Sequence, residues 1–233
     1  MIRRARRHPG ILVGLAVLAG LVAASLAAPL LSPYPPTQQA LREGLRGPSE
    51  AHPLGQDRLG RDVLSRVLYG ARVSLWVGTR AVSISVTAGL MVGALAGALG
   101  GIVDDLVMRL IDILQAFPGI LLAIAFASAL GPSLFNVVLA LSLIGWVGYA
   151  RLVRGQILVV REIDYVHAAT ALGAGRGRII FRHLLPNILA PLIVEASFGM
   201  AGAIVGEASL SFLGLGTQPP TPSWGSMLNE ARN

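Results

Sequence analysis

The sequence predicts an all-α fold, a polytopic bundle of transmembrane helices, and three observations carry that expectation. Hydrophobic residues make up 54% of the 233-residue chain and charged residues only 13%, with a mean hydropathy of +0.67. That balance is too apolar for an ordinary soluble domain. The apolar residues are gathered into runs close to the roughly 20 residues that cross a bilayer. Between the runs lie clusters of arginine, proline and glycine, the topology and turn signals of a membrane chain.

Five runs are candidate spans: Ile11–Leu31, about Ala81–Val103, Ile113–Leu130, Leu134–Val153 and Ile188–Leu210. The first follows "RRARRHPG" and contains "SLAA" near its end, small residues of the kind at which a signal peptide is cleaved. Its apolar run exceeds the usual length of about 7–15 residues for such a leader, so an uncleaved helix is expected. The second carries Gly89, Gly93 and Gly97, four residues apart, a stripe of small residues that lets another helix approach closely. Packing within the chain is the preferred reading of that stripe, and a dimer seam is the alternative. In the third, Phe117-Pro118 bends or opens the helix. Asp105, Arg109 and Asp112 stand at helix-neighbour spacings that predict a local ion pair.

Three segments follow from this pattern: 1–31, an N-terminal tip and first span; 32–72, an extracytoplasmic linker; and 73–233, the main membrane domain with a cytoplasmic loop over 154–187. The linker begins proline-rich and turns periodic from Gly60. Leu64, Val67 and Leu68 share one helical face and Asp62 and Arg66 the other, which predicts a helix lying at the membrane surface. With the N-terminus in the cytoplasm, eleven arginines fall inside and seven outside, with Arg80 at an edge, a modest bias in the expected direction.

Composition also excludes. There is no cysteine, so no disulfide and no thiolate metal site. All nineteen basic residues are arginine, and a Walker A loop needs a lysine for the nucleotide phosphates. If ATP drives this protein, another chain hydrolyses it. The high pI of about 11.1 does not point to nucleic acid, because the arginines flank apolar runs instead of lining one face. The four histidines lack metal-ligand spacing, and no hydrolase pattern is visible. No enzyme site, metal or cofactor is expected.

Two carboxylates fall inside span five. Glu195 sits about two turns in and is costly in lipid, so it faces protein or a water-filled path. A structural hydrogen bond and a pathway role stand equal. Glu207 lies twelve residues further on, on a different face at about 100° per residue, so the two form no pair.

The polar stretch "EIDYVHAATALGAGRGRIIFRHLLPN" contains a short helix. Asp164 is placed to accept from the free amides of its first turn. Tyr165, Ala168, Ala169 and Leu172 then fall on one apolar stripe. Gly173 supplies a left-handed stop, and Pro186 stands at the entrance to span five, where a first helical turn tolerates it. A helix of about nine residues is marginal alone in water, so its stripe must be buried against something. The alternatives are the membrane surface and a protein partner. Two central alanines offer little area to lipid but allow close approach by a groove, which favours the partner.

"HAATALGAGRGRIIFRHLLP" resembles the EAA loop of the membrane subunits of ATP-binding-cassette importers. "HPLGQDRLGRDVLSRVLYGARVSL", "WVGYARLVRGQIL" and "SFLGLGTQPPTPSWGSML" resemble the dipeptide/oligopeptide/nickel family of these permeases, in its second-permease or C-type branch. The resemblance implies a non-catalytic permease in a bacterial or archaeal inner membrane. It implies a related permease, two ATP-binding subunits and an extracytoplasmic solute-binding protein as partners. The helix from Asp164 to Gly173 would be the coupling helix that turns closure of the ATPases into movement of the spans, with Ala168, Ala169, Gly173, Leu185 and Pro186 at the family's positions. Two departures stand out. His167 replaces the loop's usual glutamate. The family has six spans, and this chain ends at Asn233 before the last, as a truncated, non-transporting subunit would. An ion-coupled secondary transporter working through Glu195 is the remaining alternative.

Overall fold

The computed structural model describes residues 9–232; the arginine cluster Arg3, Arg4, Arg6 and Arg7 lies outside the described residues. Helices dominate. Among the described residues the only extended pairing is an isolated bridge between Gln56 and Asp62. Helix α1 is Pro9–Leu26, 18 residues, or about 27 Å at 1.5 Å per residue, slightly under a hydrocarbon core of roughly 30 Å. The short α2, Ala28–Leu31, follows, and a 3₁₀ turn, Leu41–Glu43, interrupts the linker. Then come α3, Val63–Leu99; α4, Gly101–Gln115; α5, Gly119–Leu130; α6, Leu134–Val160; α7, Asp164–Ala171; α8, Leu185–Phe212; and α9, Trp224–Arg232.

Among the described residues, three helices are long and apolar enough to cross a membrane: α3, α6 and the continuous stretch Ile179–Phe212. The pair α4 and α5, bent by 85° at their junction, makes a fourth if taken as one span. Two corrections to the sequence reading follow. Ile113–Leu130 is not one run of helix: Ile113 lies in the last turn of α4, which ends at Gln115, and Pro118 sets up α5 with φ −58° and ψ 121°. A proline lacks the N–H that would bond back into α4, and its ring disfavours helix in the residue before it. The surface helix expected before span two is not separate either. It is the first part of α3, which at 37 residues runs about 55 Å and outreaches the hydrocarbon layer.

The chain forms two compact units. One contains the chain up to Trp76, Pro132–Leu134 and the stretch from Glu207 on. Its inner side is polar, which reverses the face expected for the start of α3. Arg61, Asp62, Ser65 and Arg66 are buried, while Leu64, Val67 and Leu68 are only half-buried. The charges are buried because they have partners. Arg61 Nε donates to Asp57 Oδ2 at 2.7 Å, and Arg66 Nη1 lies 2.9 Å from Glu230 Oε2. Arg61 also pairs with Glu230, and Arg66 with Asp57. Asp62 caps α3 by accepting from the Ser65 amide at 2.7 Å and its hydroxyl at 2.6 Å, a cap that satisfies a free N–H of the first turn. Asp62 also meets His52 Nδ1 at 2.9 Å. The α9 helix is held to α3 where Trp224 Nε1 donates to the Val67 carbonyl at 3.1 Å.

In this unit burial alone would raise the Asp57 carboxyl, but hydrogen bonds from the Arg61 amide and guanidinium, its charge and the Leu59 amide outweigh that and hold it below its usual value. Asp62 behaves alike: desolvation pushes it up, and the Ser65 and His52 hydrogen bonds bring it below the usual value.

The second unit runs over Val77–Gly131 and Phe135–Gly206. Its core lies along α6 and the start of α8: Tyr149, Val153, Ile157, Val160, Leu184, Ile188 and Leu192 are buried together. Ile111 of α4 joins Val147 and Ala150 in a smaller cluster. The expected pairing of Arg109 with Asp105 or Asp112 is replaced by bonds to α6. Arg154 grips Asp104, Nε to Oδ1 at 2.9 Å and Nη2 to Oδ2 at 2.5 Å, and Arg151 takes Asp112. A forked guanidinium–carboxylate pair between packed helices is stronger than an exposed pair one turn apart on one helix.

Candidate functional site

Helix α7 begins where Ile163 leaves the extended region, φ −78° and ψ 139°. Asp164 is therefore the first helical residue and not the cap, and its side chain makes no capping bond. Its charge still sits at the positive end of the helix, where a carboxylate is favoured. The helix ends with Leu172 as its C-cap and Gly173 at φ +82°, a left-handed conformation that costs a glycine little. The Gly173 and Ala174 amides close the end on the carbonyls of Thr170 and Ala169, at 2.9 and 3.0 Å.

Val166 of α7 is buried and anchors it. Ala169 is half-buried, whereas Tyr165, Ala168 and Leu172 are exposed. Leu172 is 89% exposed; a leucine that open on a short polar loop is an apolar surface without a cover among the described residues. The Tyr165 hydroxyl accepts from Asn187 Nδ2 at 2.9 Å, and the Tyr165 ring stands 6.0 Å from that of His183. These contacts join α7 to the start of α8. His167 is exposed, with Nε2 at 3.7 Å from Glu162 Oε2, an ion pair when the imidazole is protonated.

Between α7 and α8 the backbone runs as a π-helix over Ile179–Leu184. Pro186 explains it. In an α-helix its ring would press on the Arg182 carbonyl and its missing N–H would leave that carbonyl unbonded. A wider turn relieves both, with the Leu185 amide bonding to Ile180 and Asn187 Nδ2 to the His183 carbonyl at 2.6 Å. Leu185 and Pro186 open α8 directly after this turn. Single-turn π segments recur at functional sites. The sequence reading did not include this one, although a proline at the head of an apolar run was its signal.

The glycine stripe of α3 faces α6 within the second unit. A Cβ on Gly89 would lie 2.5 Å from Tyr149 Cβ, and one on Gly93 would lie 2.4 Å from the Ala150 carbonyl oxygen. At Gly97 the nearest atom, on Ile157, is at 3.0 Å. Glu207 is fully buried and accepts from Ser211 Oγ at 2.7 Å, Ser74 Oγ at 3.0 Å and Thr217 Oγ1 at 3.4 Å. Three hydroxyls around one carboxylate make a structural knot inside the first unit, not an open site. Glu195 is exposed and lines a cavity of about 350 Å³ in the second unit together with Tyr149 and several glycines. Tyr149 was not singled out by the sequence; nothing in a lone tyrosine among apolar residues marks it.

Residues 89–232 match the family described as binding-protein-dependent transport system inner membrane component. Residues 1–48 match the N-terminal TM domain of oligopeptide transport permease C. The chain is 44% identical over 223 residues to the dipeptide transport system permease protein of Alkalihalophilus pseudofirmus, covering 95% of this chain and 73% of that protein. It is 44% identical over 229 residues to the glutathione transport system permease protein of Pectobacterium atrosepticum, covering 98% and 76%. With the di/tripeptide transport system permease protein of Pseudomonas aeruginosa the identity is 43% over 232 residues, covering 97% and 77%. A multi-pass helical bundle, a match over most of the chain and three relatives named as transport permeases agree: the chain belongs to the family of inner-membrane components of binding-protein-dependent transport systems.

Proposed function

We propose that this chain is the membrane-spanning subunit of an ATP-driven importer for di- or oligopeptides or related small polar solutes. The names of its relatives, dipeptide, di/tripeptide and glutathione permeases, support that cargo class. The subunit works with a related permease, two ATP-binding subunits and an extracytoplasmic binding protein, and its N-terminus lies in the cytoplasm. It does no bond chemistry; its chain has no lysine for a Walker A loop. ATP binding favours one access state over the other through its differential affinity for the two, and α7 carries that bias to the spans.

The single observation behind this reading is the apolar stripe of α7, with Ala168 and Leu172 open while Val166 fastens the helix from below. A cleft in an ATP-binding subunit is the occupant proposed for it. Tyr165 and Asn187 then pass a push on α7 to α8 through their hydrogen bond.

Replacing Ala168 by arginine tests it in the assembled complex reconstituted with its binding protein. An uncompensated charge left in a desolvated interface costs about 3–5 kcal/mol, so ATP-dependent uptake falls at least roughly tenfold, and ATP turnover no longer responds to loaded binding protein. Uptake, turnover and subunit association all at wild-type levels would sink the reading.

A further inference from the structure

Glu195 has an unusual setting for a carboxylate in an apolar helix. Among the described residues no side chain or amide makes a hydrogen bond or ion pair with it, and it opens into the cavity of about 350 Å³. That volume lies at the small end of the roughly 300–1,000 Å³ usual for small-molecule sites. A second polar group reaches the same space. Tyr149 is 5% exposed, lines the cavity, and has no hydrogen-bond partner among the described residues. Its position is fixed by α8: a Cβ on Gly199 would fall 1.9 Å from the Tyr149 hydroxyl oxygen. Residues 195 and 199 are one helical turn apart on the same face, so the hydroxyl and the carboxylate are neighbours along that face. Around them the lining is small or apolar, and Gly148 and Gly202 have nothing within 4 Å of where a side chain would begin.

An anionic group here wants a positive partner, and the rest of the lining says which kind. A hard metal ion needs about six or more oxygen ligands, and no group of three His, Cys, Asp or Glu side chains exists among the described residues. The Ser85 hydroxyl is turned to the Ser142 carbonyl at 3.5 Å. One carboxylate beside one hydroxyl, walled by glycines and alkyl groups, suits a small ligand with an ammonium group and an adjacent carbonyl. We infer that this cavity is a transit site for the free amino end of a short peptide. Its ammonium group donates to Glu195, the Tyr149 hydroxyl donates to the first peptide carbonyl, and the first side chain lies over Gly148 and Gly202. This rests on the peptide-import reading and adds to it a chemical preference inside the permease itself.

The test uses the assembled permease–ATPase complex in nanodiscs, without the binding protein, and measures equilibrium binding of dialanine and of N-acetyl-dialanine. Wild type binds dialanine the more tightly. Glu195→Gln weakens dialanine binding roughly tenfold or more, as expected for loss of a charge-assisted hydrogen bond, and leaves N-acetyl-dialanine unchanged; Glu195→Asp restores part of the loss. Gly202→Val, which fills the cavity and keeps the carboxylate, weakens both ligands. Equal binding of the two ligands by wild type, no dialanine binding at all, or full dialanine binding by Glu195→Gln overturns the inference. Should Glu195→Gln not assemble, undiminished dialanine binding by Gly202→Val overturns it instead. ATP-dependent uptake of a dipeptide mixture by the wild-type complex with its binding protein, measured in parallel, separates the two claims. No uptake refutes the import reading, while normal uptake with any of the contrary binding results refutes only the transit site.

Discussion

Arg66 is the largest fully buried side chain among the described residues, at 1% exposed. Its Nε and Nη2 have no hydrogen-bond partner among the described residues, so its burial depends on the acids that meet Nη1, Asp57 and Glu230. Removing one partner of a buried pair is costlier than the pair is worth, about 3–5 kcal/mol. Asp57→Ala leaves Glu230 to serve both arginines and is therefore expected to lower the stability of this unit by up to about that amount in a detergent melt, while Arg66→Met costs much less, because Arg61 still meets both acids. Acid has a related effect. Both Asp57 and Asp62 are held below the ordinary aspartate value, which is about 3.9. The stabilisation they give is complete above that value and is lost as the pH falls through their lower folded-state values. A melting temperature that declines below about pH 4, with a smaller decline in Asp62→Asn, is the expected result. This cluster was poorly legible in sequence. A helical wheel at Gly60 onward assigns charge to the outside, and it cannot know that the partner of Arg61 is Glu230, 169 positions away. The same blindness paired Arg109 with its own helix when Arg151 and Arg154 were the cations that reach α4.

At the scale of elements, the contact between α3 and α6 depends on three missing side chains. Gly93 leaves no room for even a methyl group, since the Ala150 carbonyl stands 2.4 Å from where it would be. Gly93→Leu should separate the helices and destabilise by about 1–3 kcal/mol or more, whereas Gly148→Ala, with open space before it, should be near neutral. Thermal unfolding in detergent or nanodiscs compares them directly. That stripe was readable because a four-residue repeat of glycine has a mechanical meaning in lipid. Proline was equally readable at 118, where it parts α4 from α5. At 186 its consequence was not foreseen: the π turn it forces depends on how the chain enters α8, which spacing alone does not define. The fusion of the linker helix with span two into α3 was also hidden, since no cap or breaker between Asp62 and Leu99 marks an end, and hydropathy marks only the greasy half.

For the molecule as a whole, composition and run length were enough for the class, because a bilayer imposes length and apolarity on any helix that crosses it. Function was legible through the short polar loop and the blocks around it that resemble the family. The loop's stripe demanded a cover, and among the described residues α7 is held by buried Val166 and by the Tyr165 hydroxyl on Asn187, leaving Ala168 and Leu172 bare. Asp164 as a cap was the local error there, by one residue, and it leaves the stripe unchanged. Because the chain has no cysteine, a single Ala168→Cys substitution gives a clean probe of that surface. The decisive measurement is the rate of its alkylation by a water-soluble maleimide in the permease alone and in the complex with its ATP-binding subunits. Fast labelling of the permease alone and protection of at least roughly tenfold on assembly are the expected result for a helix face in a water-excluding groove. Equal rates with and without the ATP-binding subunits would contradict it.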